Sequence, residues 1–239
     1  MGAIIGGLYA AGYSMEQCMA LCDSLHMFNI AKWSERPLRK GLHSGIFRQR
    51  IEEHLKPLLG ERTIGDCVIP FVCVAGLVQN PIKWRKIVTE GFVEHVRESV
   101  ELYVFPPETR LLDAMLASSA IPVLFAPVEL NGRIFVDLCT FGAIPARTLR
   151  RLQNPQIVIG TDTTPEYAIA PYLPRGWKMF LDAAREELHK SREACDLVIT
   201  PELPTAPFRF DRATDFVEAG KVATQEAIPA IRTLLKTNV

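Results

Sequence analysis

Met1-Gly2-Ala3-Ile4-Ile5-Gly6-Gly7-Leu8-Tyr9-Ala10-Ala11-Gly12-Tyr13-Ser14 opens the chain and decides how the rest is read. Gly2, Ala3, Gly6 and Gly7 fall at helical spacing and leave room for a neighbouring backbone. The stretch therefore predicts a close-packed helix over 2–12, broken at Gly12. Ser14 with Gln17 three residues on is a capping box, and it predicts a second helix over 15–29. The alternative is a secretory segment, which wants a basic start; the first charge here is Glu16, which is acidic. The apolar run is also far short of the ~20 residues a bilayer needs, and no other stretch reaches that length.

The 239 residues can bury one sizeable core or two small ones. A hydrophobic content of 48% with 23% charged residues is that of a soluble globular protein. The 27 basic side chains cancel the 27 acidic ones. That balance argues against a nucleic-acid partner. It also excludes a purely electrostatic attraction to anionic membranes, while leaving apolar contact with lipid open. Cys18, Cys22, Cys67, Cys73, Cys139 and Cys195 are scattered, which points to a reducing compartment. Cys18, Cys22 and His26 recur every four residues. His26 lies ~12 Å from Cys18 along a helix, too far for one tetrahedral site, so no metal is expected and the cysteines read as apolar core residues.

Outward from the first helix, the elements alternate. Ser44 is expected to cap a helix reaching about Leu58, with Ile46, Phe47, Ile51 and Leu55 on one face. Val68 to Leu77 is a valine-rich apolar run that suits a strand buried on both sides, and Trp84 to Thr89 could pair with it. The stretch 92–104 fits helix or strand. Thr109 to Ser118 reads as a helix stopped by Pro122. Val128 to Val136 reads as a hairpin turning at Asn131-Gly132 in a type I′ turn. A helix near 144–151, a buried strand from Gln156 to Thr161, a helix from Gly176 to Arg192 and a strand from Leu197 to Thr200 follow. A terminal helix from Arg212 to Lys236 is expected to break at Pro229. Strands alternating with helices predict an α/β fold with a mostly parallel sheet covered on both faces, in one domain spanning 1–239.

Two blocks carry a family resemblance. The opening stretch is similar to the second half of a nucleophile elbow, the G-x-S-x-G turn from strand to helix. Met1 falls on the residue after the serine and Gly2 on the last glycine. Ala117-Ser118-Ser119-Ala120-Ile121-Pro122, then Pro127-Val128, the hairpin and Val136-Asp137, resemble the second signature of patatin-like phospholipases. Asp137 stands where that family has its catalytic aspartate. Ala194-Cys-Asp196-Leu-Val-Ile-Thr-Pro201, Phe210-Asp211-Arg212 and Glu218-Ala219-Gly220 resemble the family as well.

The resemblance implies a three-layer sandwich and a Ser–Asp dyad that hydrolyses acyl ester bonds of phospholipids or other lipids, with no cofactor. It implies an acyl lipid or a membrane surface as partner, and a cytoplasmic or peripherally membrane-associated location. None of His26, His43, His54, His95 and His189 has a triad-like context. The chain departs from the family in three places. The serine would precede Met1, so Met1 and Gly2 are an elbow remnant and the true start is expected upstream. The glycine-rich oxyanion loop and the first strands would lie upstream too. Leu138 and Cys139 replace the glycines after the aspartate, and a left-handed backbone at Leu138 would cost ~1–2 kcal/mol. These departures predict a chain that is catalytically dead as it stands. The competing reading is a non-catalytic patatin-like remnant that binds a protein partner. Ser118, Ser119 and Cys139 are the residues that could substitute for the nucleophile. Ser118 and Ser119 read as packing residues of their turn, and Cys139 has neither an elbow nor a base.

Overall fold

Gly12 and Ser14 punctuate the start of the chain as their chemistry requires. In the computed structural model, helix α1 (Gly2–Ala10) ends where Gly12 takes φ +97°, and α2 (Met15–Ser24) begins just after Ser14. The Ser14 N–H donates to Gln17 Oε1 at 2.8 Å, and the Gln17 N–H donates back to Ser14 Oγ at 3.3 Å. Two of the helix's orphan donors are satisfied reciprocally.

The structure describes residues 2–24, 31–33, 47–49, 51–79, 99–121, 125–138, 144–163, 187–203 and 212–237. They fall into two compact units. One holds the described residues up to 79 and from 99 to 138; the other holds those from 144 onwards.

In the first unit, a short antiparallel pair, β1 (Ala31–Trp33) and β2 (Phe47–Gln49), precedes helix α3 (Ile51–Leu59). The helix expected from Ser44 is seen from Ile51 on. Phe47 belongs to a strand, and Ile51, Leu55 and Leu59 form the buried face. Ser44 and Ile46 lie outside the described residues. Strands β3 (Val74–Val78), β4 (Val100–Val104), β5 (Val128–Leu130) and β6 (Arg133–Val136) form one sheet in the order β4-β3-β6-β5. Asn131 (φ 52°) and Gly132 (φ 72°) turn the β5–β6 hairpin, as the Asn-Gly pair predicts for a type I′ turn. The ambiguous stretch resolves as strand over 100–104.

Among the described residues every pairing in this sheet is antiparallel and only the pair Ile159–Thr161 and Leu197–Ile199 of the second unit is parallel, so the expected mostly parallel sheet is not confirmed. Apolar residues on both faces of a strand report burial, and burial does not encode direction. The run from Val68 is also only half a strand. Val68 is 77% exposed and Ile69 43%, and pairing begins at Val74. The Ile69 N–H donates to the Ala10 carbonyl at 3.1 Å, so this segment bonds to the end of α1 and not to a strand.

Helix α4 (Leu111–Ser118) packs on α1, α3 and the sheet. Leu111, Leu112 and Met115 are fully buried, with Ile4, Leu8, Leu55 and Leu59 among the largest buried side chains. A Cβ on Gly7 would come within 2.8 Å of Met115 Sδ. The space at Gly7 is thus taken by a side chain where a neighbouring backbone was expected, and a Cβ on Gly2 would meet nothing within 4 Å.

The second unit contains α5 (Ala146–Gln153), the parallel pair β7 (Ile159–Thr161) and β8 (Leu197–Ile199), helix α6 over 187–193, and α7 (Ala213–Thr237). Its core is small: Ile144, Ala146 and Val158, with Leu149, Leu188, Ala194, Cys195 and Val198 against them. The strand expected over 156–161 is shorter, and Ile159 is exposed. Helix α7 runs through Pro229 without the expected break. The Trp84–Thr89 pairing, Pro122, and the 176–186 part of the predicted helix fall outside the described residues.

Candidate active site

Asp137 follows β6 directly. β6 stays in register with β3 up to Val136, which faces Gly76. Asp137 then leaves the ladder, because its N–H donates to the Ala120 carbonyl at 2.8 Å. Ala120 is fully buried, just past the C-terminus of α4. The Ala117–Ile121 turn thus anchors the aspartate's backbone, a physical reason for these two blocks to occur together. Side chains alternate along a strand, so Asp137 shares a sheet face with Phe135, and Val136 and Leu138 share the other. Ideal Cβ positions confirm the second pair: a Cβ on Gly76 would meet Val136 Cγ2 and Leu138 Cδ2, both at 3.2 Å.

Leu138 is therefore buried over the central strand. Among the described non-glycine residues only Asn131 and Asn154 have positive φ. Leu138 is not one of them, so the backbone cost considered for it does not arise.

The other end of the candidate site is the start of α1. Gly2 heads that helix, and a Cβ there would touch nothing within 4 Å. The first N–H groups of a helix have no partner within it and favour negative charge. Met1 lies outside the described residues.

A segment that leads into β3 follows the 3₁₀ turn Ile64–Asp66. It runs back along α1: Val68 touches the position of a Gly12 Cβ, Ile69 bonds to Ala10, and Phe71 Cε2 lies 3.6 Å from the position of a Gly6 Cβ. An extended chain advances ~3.3 Å per residue and a helix ~1.5 Å. On those rises Cys73, two residues beyond Phe71, is expected level with the first turn of α1. Cys73 is 2% exposed, and its thiol donates to the Ala114 carbonyl at 3.4 Å. Burial pushes that thiol up to about 12. The Ser118 hydroxyl, the positive amino terminus and the Val74 backbone oppose the shift, and the Asp137 carboxylate adds to it. A thiol so strongly protonated is no nucleophile at neutral pH.

In the sequence Cys73 shows only as a scattered cysteine inside the apolar run from Val68 to Leu77. Its parity with Ala75, two residues on in the same strand direction, was the available signal for the helix-covered face. Ser119 was also underread. Its hydroxyl is buried and has no hydrogen-bond partner among the described residues.

Cys139 and the residues through Ala143 lie outside the described set, as do His26, His43 and His95. His54 sits on α3, and His189 pairs with Glu193 at 3.4 Å on α6. Cys18 is buried, and that burial raises its thiol. Among the described residues no group of three or more His, Cys, Asp or Glu could hold a metal ion, and no helix is long and apolar enough to cross a membrane.

The family model for patatin-like phospholipases matches residues 1–149. The match takes in α1, the 117–122 turn and Asp137, and it ends within α5; the similarity read at 194–201, 210–212 and 218–220 lies beyond it. Covering more than half of the 239 residues, it shows that the chain belongs to the patatin-like phospholipase family.

Proposed function

We propose that this chain carries the scaffold of a lipid acyl hydrolase in which Asp137 is the base of a Ser–Asp dyad and the start of α1 is the oxyanion side of the site. In the reaction, a serine ahead of α1 gives its proton to Asp137 as its oxygen attacks the acyl carbonyl. The N–H groups at the helix start stabilise the oxyanion. The alcohol leaves with that proton, and water then releases the fatty acid. The substrate is an acyl lipid met at a membrane surface, which fits a cytoplasmic or peripheral location. The 239 residues are read as one patatin-like domain that hydrolyses no ester without that serine.

The observation that supports this reading most is the bond from the Asp137 N–H to the Ala120 carbonyl, which ties the aspartate of one family block to the turn of the other.

The test compares two forms. The 239-residue chain is expected to match a buffer blank on phospholipids and p-nitrophenyl esters. A form carrying Gly-x-Ser and a glycine-rich loop ahead of Met1 is expected to turn over. Asp137→Asn should lower that turnover by on the order of 10³–10⁴-fold, the scale seen when a member of a catalytic constellation is removed. Hydrolysis by the 239 residues that Asp137→Ala abolishes would overturn the inactive reading. Turnover in the longer form that survives Asp137→Asn would overturn the dyad.

A partner-binding, non-catalytic role is the second reading. Leu138, buried over Gly76 where the family has glycine, favours it. If Leu138→Gly restores turnover to an otherwise silent longer form, the loss of activity lies at that position.

A further inference from the structure

Helix α7 carries more apolar surface than its neighbours cover. It spans Ala213–Thr237 and packs on β8, yet none of its described side chains is buried. At about 100° of turn per residue, Phe216, Ala223, Ala227, Ile231 and Leu234 line one stripe, and all are half-buried. Val217, Ile228 and Leu235 fall on a second line beside it. Ile228 is 38% and Leu235 52% exposed. The next line round carries Lys221, Arg232 and Lys236. The carboxylates Asp215 and Glu226 lie on the far edge.

The charges are partitioned unevenly around a helix whose six ionised residues cancel. Glu218 borders the basic line, but Lys221 engages it at 3.2 Å. Asp215 is held by Arg212. Arg232 and Lys236 make no ion pair among the described residues. Their long stems can lie along the apolar margin while their heads reach outward. An exposed apolar line edged by unpaired cations complements an anionic lipid surface: acyl chains take Ile228 and Leu235, and headgroups take Arg232 and Lys236. A second copy of the helix would meet like charge along the same border.

We propose that the Ile228–Leu235 margin of α7, edged by Arg232 and Lys236, is a docking surface for an anionic bilayer. The proposal rests on the lipid-hydrolase reading for its biological sense, but it concerns binding and not hydrolysis.

The experiment is flotation of the full 239-residue chain with vesicles of ether-linked phosphatidylcholine, with and without about a third of ether-linked phosphatidylserine. Ether lipids offer no ester, so a failed hydrolase reading leaves the result intact. The chain is expected to float with the anionic vesicles and to be released by salt. Arg232→Gln and Lys236→Gln should each weaken binding roughly fivefold. Ile228→Asp with Leu235→Asp should abolish it, and Thr233→Asn, on the opposite edge, should leave it unchanged. These side chains are exposed, so helicity by circular dichroism should be retained; if the double Asp variant unfolds, the two Gln variants still decide. The proposal is overturned if the chain does not float, if it floats equally with neutral vesicles, if the Gln variants bind as the parent does, or if light scattering shows a dimer that the double Asp variant dissolves.

Discussion

Helices α4 and α6 hold their units together by opposite means. In the first unit, α4 presents Leu111, Leu112 and Met115 to α1, α3 and the sheet, and all three are fully buried. In the second unit, α6 buries none of its side chains completely. Arg192 at its end reaches Asp162 after β7 at 2.7 Å and Thr200 after β8 at 3.3 Å. Arg150 on α5 does the same before the strands, donating to the Ala194 carbonyl and to Asp196, each at 2.7 Å. Apolar burial is non-directional and sensitive to volume. Charge-assisted bonds are directional and sensitive to protonation. The first unit should therefore fail by changes of volume and the second by changes of charge.

The largest expected effect is a cavity in the first unit. Leu112→Ala removes a side chain with no exposure and should destabilise by ~2–5 kcal/mol, read as a shift of the urea midpoint. A loss well under 1 kcal/mol would mean that α4 collapses freely onto its neighbours, and the contrast between the units would be lost.

Next comes the latch of the second unit. Arg192→Met keeps the stem and removes the guanidinium. Asp162, only 2% exposed, then loses its bond to the cation. A hydrogen bond to a charged group contributes ~1.5–3 kcal/mol; the partial exposure of Arg192, at 41%, argues for the lower end. Hydrogen exchange at 197–199 is the local readout. Unchanged protection there would show that the small core around Val158 suffices.

A third, smaller effect tests overpacking. Ala at Gly76 would put its Cβ 2.5 Å from Val100 Cγ1, so a side chain or strand must shift. Gly76→Ala should cost ~1–3 kcal/mol, and adding Val100→Ala should recover most of it, a coupling that a double-mutant cycle reads directly. Additive losses would place the strain elsewhere.

The same contrast accounts for what could be read from sequence. Local chemistry was legible. The Ser14/Gln17 box, the Gly12 break and the Asn131-Gly132 turn each depend on residues within four positions, and each stands as expected. The place of Asp137 at a strand end was legible from the Val128–Val136 hairpin; that Ala120 binds its backbone was not visible in either block alone. Strand direction was illegible, since Val74 to Val78 would look equally apolar in a parallel or an antiparallel sheet. The role of Val68 to Cys73 was illegible for a related reason. An apolar run signals something to pack against, and here that is helix α1 and not a neighbouring strand. Pro229 misled in the other direction: a proline removes one donor and introduces a clash, but a 25-residue helix continues through it. The two arginine latches join residues 30 and 46 positions apart, and no periodicity reports such pairs.

The smallest effect concerns pH. The Val158 N–H, then the Arg150 guanidinium, hold the Asp196 carboxyl below the usual carboxylate range. In the first unit, the Thr63 N–H and hydroxyl do the same for Asp66. Burial pushes Asp113 the other way, with Arg110 opposing and Glu52 and Glu61 adding. A lowered carboxyl contributes stability that is complete above its unfolded pKa of about 3.9 and is lost as pH falls through the folded value. A raised carboxyl works in reverse: its cost is present at neutral pH and is relieved on acidification. Asp113 and Asp66 therefore oppose each other in the first unit, while the shift at Asp196 acts in one direction in the second. Acidification from about pH 5 to pH 3 should lower hydrogen-exchange protection in α5 and β8 before it does so in α4. Asp196→Asn should flatten that dependence in α5 and β8 and leave α4 unchanged. If α4 loses protection first, or if the Asn variant keeps the full acid slope, volume and charge do not divide the two units as proposed.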